Sequence, residues 1–66
     1  MQRQDYIEKI AAFIADGWYA ADEGDQVACK AAKQSATQIA NRAADDLGHT
    51  AGYWLAESQF RAADLY

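Results

Sequence analysis

Proline is absent from all 66 residues, so nothing in the chain forbids a helix interior at any position. Sixteen alanines strengthen that constraint, because alanine loses no side-chain entropy in a helix, whereas only eight residues are Val, Ile or Leu. Strands have little to be built from. Gly24 follows Asp22-Glu23 and precedes Asp25, and Gly48 follows Leu47 and precedes His49-Thr50. Each segment reads as a helix end, a turn and a new N-cap. The spacing predicts an all-α fold in one domain, residues 1–66: a small antiparallel three-helix bundle with helices at about 4–23, 25–47 and 50–65.

At 100° per residue, the first helix gathers Ile7, Ile10, Ala11, Ile14, Trp18 and Ala21 on one side. Gly17 interrupts it, and is expected either to allow close approach of another backbone, the favoured reading, or to break the helix before Trp18. The second helix aligns Ala28, Ala32, Ala36, Ile39, Ala43 and Leu47, a stripe made mostly of methyl groups. Small side chains let helices approach, so this helix is expected at the tightly packed centre, with Asp25 as its N-cap. The third, capped by Thr50, has a main face of Ala51, Trp54, Leu55, Ser58, Ala62 and Leu65. It also carries a second stripe, Tyr53, Ala56, Phe60 and Ala63, which one three-helix unit cannot easily bury. A weaker edge of Tyr6, Phe13 and Ala20 recurs at seven-residue spacing on the first helix.

A chain of 7.3 kDa buries only about 60% of the surface its unfolded form exposes, which leaves such domains marginal without a disulfide, a metal or a second subunit. Cys29 is the single cysteine, so no intrachain disulfide can form, and packing is the ordinary use of such a residue. His49 and Cys29 do not supply the three or four ligands of a zinc site, and Asp22, Glu23 and Asp25 lack the ligand spacing of a calcium loop. Asp45 and Asp46 are adjacent, so they point about 100° apart on a helix and do not form an acid–base pair. No phosphate-binding loop, nucleophile elbow or metalloprotease motif occurs. The expectation is no enzyme activity, no metal and no cofactor.

Six basic against ten acidic side chains give a net charge of −4, which disfavours nucleic acid and anionic membranes. Lys30, Lys33 and Arg42 stand among Gln34, Gln38 and Asn41, residue types that read base edges, but three charges are few. No apolar run approaches a membrane span and the first residues resemble no export signal, so the location expected is cytoplasmic. What remains is a binding protein. The sequence points to a homodimer or a complex with a host protein, made through Tyr53, Trp54, Ala56, Phe60 and Ala63 with help from Tyr6 and Phe13. The function expected is a regulator or inhibitor acting by surface occupation, of the kind phage and plasmid accessory genes encode. A nucleic-acid-binding or DNA-mimicking accessory protein, and a self-assembling structural subunit, are the alternatives.

Overall fold

The computed structural model describes all 66 residues as three helices: α1 (Arg3–Asp22), α2 (Gln26–Leu47) and α3 (Ala51–Leu65), with no strand. The predicted all-helical bundle is present, and its helix ends follow from identifiable capping chemistry. Asp25 accepts a hydrogen bond from the Ala28 backbone N–H at 3.0 Å, and Thr50 Oγ1 accepts one from the Tyr53 N–H at 3.1 Å. Both therefore satisfy donors that a first helical turn leaves without a partner. At the end of α1 the Asp25 N–H donates to the Ala20 carbonyl and the Gly24 N–H to that of Ala21, the paired bonds of a Schellman motif. The motif needs a left-handed residue at Gly24, whose φ is +77°, and glycine adopts that without steric cost.

Turns of three residues fold each helix back along its predecessor. Tyr6 meets Asp46 and Gly17 meets Ala32, so α2 runs antiparallel to α1. Glu8 meets Arg61 and Tyr19 meets Tyr66, so α3 runs parallel to α1. The core has two parts. Tyr6, Ile7, Ile10, Ala36, Ala40, Ala43 and Trp54 form the larger cluster, and Ala11, Ala15 and Ala62 form a smaller one between α1 and α3.

The central helix is α1, not α2 as the alanine stripe suggested: α1 packs extensively on both others, which touch each other much less. The reason is reach. Alanines on α2 bring α1 close, but methyl groups cannot extend past it to α3, whereas α1 carries the Tyr, Ile and Trp side chains that fill both interfaces. Between the diverging α2 and α3 an open cleft of about 270 Å³ remains, floored by Ile14 and Trp18 and flanked by Ala36, Lys33 and Leu55.

Helix α1 continues unbroken through Gly17, which is buried against α2. A Cβ placed there would meet the Ala32 Cβ at 3.5 Å and the Cys29 carbonyl oxygen at 3.7 Å, both ordinary van der Waals distances. Close approach is the reason for a small residue, yet alanine fits. Gly17→Ala is therefore expected to raise stability by up to about 1 kcal/mol through helix propensity, read as a higher denaturation midpoint with unchanged slope.

Of the predicted inward face of α3, Trp54, Ser58 and Ala62 are fully enclosed, Ala51 and Leu55 are half-buried, and Leu65 at the helix end is 39% exposed. Ser58 Oγ has no hydrogen-bond partner. An enclosed, unsatisfied hydroxyl costs about 1–3 kcal/mol, so Ser58→Ala is expected to stabilise the fold by about 1 kcal/mol or more in the same denaturation assay. A loss of stability would show instead that the hydroxyl is satisfied.

Candidate protein-binding surface

Burial of Trp54 and Ser58 on one side of α3 turns residues about half a revolution away toward solvent. Ala56, Phe60 and Ala63 all occupy that outward side and are exposed. Phe60 retains 78% of its accessible surface, an aromatic ring with no packing partner. Val27, at 82%, is the other large apolar side chain left this open, but it stands singly beside Gln26 and Asp25 at the start of α2. Phe60 instead continues a stripe.

At the N-terminal end of that stripe Tyr53 is half-buried and fixed from several directions. The His49 imidazole stacks on its ring with centroids 4.0 Å apart and planes inclined by 20°. Its ring also meets Trp54 edge-on at 5.6 Å. The Arg3 guanidinium donates to the Tyr53 hydroxyl at 3.2 Å and lies 5.9 Å from the ring centroid, while also pairing with Glu57 at 3.6 Å. His49 holds its place in the turn with φ +68°, a left-handed conformation uncommon outside glycine. The ring of Tyr53 is thus held in one orientation by the fold itself.

Two residues expected at the contact are enclosed in the fold instead. Trp54 is 1% exposed, and its indole Nε1–H donates to the Gly48 carbonyl at 2.8 Å. Tyr6 is 7% exposed, packs against the Trp54 ring, and donates its hydroxyl to Asp46 at 2.7 Å. Phe13, two turns along the same side of α1, is half-buried against the larger core cluster. Tyr6, Phe13 and Trp54 meet in one place, the larger core cluster, to which all three helices contribute. The C-terminal Tyr66 does not cover the stripe either. It folds onto α1, where its ring lies 5.5 Å from Trp18 and 4.8 Å from Tyr19, and its backbone oxygen accepts from the Tyr19 hydroxyl at 2.6 Å.

Sequence reasoning missed Arg3 and His49 as supports of Tyr53. Arg3 is fifty residues away in the chain, so no local pattern could announce it. Lys30, Lys33 and Arg42 are exposed and form no ion pair, leaving the basic strip of α2 in solvent. No three His, Cys, Asp or Glu side chains come together in a group able to hold a metal ion, and no helix is long and apolar enough to cross a membrane.

Comparisons of the chain with protein-family profiles, with curated proteins and with solved structures returned no match.

The polar contacts that hold α1 to its neighbours titrate. Its hydrogen bond from Tyr6, with the nearby N-terminal ammonium, holds the Asp46 carboxyl below its usual range, and Arg61 does the same for Glu8 through bonds of 3.1 and 2.9 Å. A carboxylate lowered in the folded state contributes stability above its unfolded pKa and loses it as pH falls through the folded value. The same hydrogen bond raises Tyr6, whose contribution is present below about pH 10 and lost as pH rises through its folded value. Melting temperature is therefore expected to fall on both sides, below about pH 4 and above about pH 10. Tyr6→Phe should reduce the Asp46 part of the acid limb to what the N-terminal ammonium supplies and remove the Tyr6 part of the alkaline limb, leaving the Glu8 part of the acid limb unchanged.

Proposed function

We propose that this chain is a non-enzymatic binding protein that acts by occupying a surface of another polypeptide, using the outward face of α3. The observation that carries the reading is Phe60, 78% exposed at the centre of a stripe with Ala56 and Ala63, beside the ordered Tyr53 ring. An aromatic knob flanked by small side chains is what a helix-face contact uses: the ring supplies most of the apolar area, and the alanines allow close approach. The exposed acids of α1, Asp5, Asp16 and Asp22, supply orientation and on-rate toward a basic target. In this reading the protein is a cytoplasmic regulator or inhibitor of the phage- or plasmid-encoded kind, a homodimer in its free form, and its target is a host protein.

Phe60 separates binding from folding more cleanly than the other candidates, because nothing in the fold leans on it. Tyr53→Ala would also remove the seat of Arg3 and His49, whereas Phe60→Ala alters only the outer face. Phe60→Ala and Phe60→Asp are expected to leave helicity unchanged and the free energy of unfolding within about 0.5 kcal/mol of the parent. The same changes should weaken binding to a captured and purified partner at least about tenfold by titration calorimetry. Unchanged affinity for every partner would overturn the assignment of this face.

A further inference from the structure

We propose that the first occupant of the α3 face is a second copy of this chain, with the two α3 helices packed antiparallel about a twofold axis at the level of residue 58. The inference deepens the assignment of α3 as the contact face and rests on it.

Three features of the stripe fit this one arrangement. The first is shape. Along the face the side chains read Tyr53, Ala56, Phe60, Ala63, large and small in turn. Turned end for end about residue 58, Phe60 of one copy lies level with Ala56 of the other, and Tyr53 with Ala63. Every bulky ring then meets a methyl group, and the patch is its own complement, as an isologous contact demands. A parallel pair would set Phe60 against Phe60 and Tyr53 against Tyr53, holding the helices apart over their alanines.

The second feature is length. Residue 58 is the midpoint of α3, Ala51–Leu65, so this register overlaps the two helices completely, over about 22 Å. Registers centred on Phe60 leave ends uncovered. A single helix face supplies less than the roughly 800 Å² per partner of a standard interface, so the overlap has to be used in full.

The third is charge. Asp64, whose side chain is 72% exposed and lies 3.8 Å from Arg61 of its own helix, comes level with Gly52 of the second copy, next to Tyr53 and the Arg3 guanidinium that rests on it. The symmetry makes this Arg3–Asp64 approach twice. Glu57 and its symmetry mate lie on the same edge, two residues apart in level, where the Arg3 guanidinium 3.6 Å from each Glu57 offsets their charge, and the antiparallel helix dipoles attract.

An interface of this size belongs to the weak class, so self-association is expected between about 1 μM and 1 mM in reducing buffer. Sedimentation equilibrium across that range, with circular dichroism to verify folding, tests it through a large-for-small exchange. Phe60→Ala should weaken dimerisation about tenfold or more, since each change acts at two symmetric places. Ala56→Phe should do the same by opposing two bulky rings. Both sites are exposed, so both variants keep the fold. The double variant Ala56→Phe with Phe60→Ala restores the pairing in reverse and should return to within about threefold of the parent. A chain monomeric throughout overturns the twofold contact while leaving Phe60-dependent capture of another protein intact as a separate result. Tighter association of Ala56→Phe overturns it in favour of unspecific adhesion, and a double variant weaker than both singles overturns the register. Dimerisation indifferent to all three variants overturns the assignment of the face to self-association, and the target measurement then decides the face alone.

Discussion

The indole of Trp54 ties the three helices to one another. Its hydrogen bond to the Gly48 carbonyl joins α3 to the turn that ends α2, so the exit angle from that turn is set by a side chain six residues later. Its ring packs beside Tyr6 of α1, whose hydroxyl continues across to Asp46 near the end of α2. The consequence is a junction in which apolar burial and hydrogen bonding are met together: the indole loses water at no cost to its N–H, and the Tyr6 hydroxyl finds an anion. This end of the molecule is held by large side chains. Toward the other end an open cleft lies between α2 and α3, and small residues make the contacts of α1, Ala32 facing Gly17 on one side and Ala62 beside Ala11 and Ala15 on the other.

That placement fixes what the outside of α3 presents. Once Trp54, Ser58 and Ala62 point inward and Arg61 reaches Glu8, helical geometry leaves Ala56, Phe60 and Ala63 no neighbour within the chain. Rotating α3 to bury Phe60 would withdraw Trp54 from the Gly48 carbonyl and Tyr6, exchanging a satisfied indole for a phenyl ring. The exposed aromatic is thus a result of the core's own choice between two apolar faces. An exposed apolar stripe is a liability in a chain that works alone, and a means of association in one that does not.

The helices, their caps at Asp25 and Thr50, and the inward face of α3 were legible in the sequence because each depends on spacing within a few residues. The surplus stripe on α3 was legible for the same reason, since a 15-residue helix cannot turn both Trp54 and Phe60 toward one core. The central position of α1 was not. It depends on how far side chains reach across two interfaces at once, and a stripe of alanines on α2 says that something approaches closely without saying what. The burial of Tyr6 and Trp54 was not legible, because aromatic side chains suit a core and an interface alike. Their partners, Asp46 and the Gly48 carbonyl, decide the matter. Arg3 and His49 around Tyr53 belong to tertiary structure alone.

The composition of the core bears on the proposed association. Seven of its eleven buried apolar residues are alanine, and only Tyr6, Ile7, Ile10 and Trp54 bring large side chains inside. The folded chain exposes 4239 Å², close to the about 4,200 Å² expected of a compact monomer of this mass, so the helices are packed as tightly as a small domain allows. Tight packing of methyl groups still removes little apolar area per residue, and hydrophobic stabilisation scales with that area. Phe60, one of the largest apolar side chains in the sequence, contributes almost nothing in the isolated chain. Burying its ring against a methyl group of a second molecule adds apolar burial that the bundle cannot reach by rearranging itself. On the proposed reading a partner at α3 would supply what an alanine-rich core lacks, so that binding at this face would also stabilise the fold.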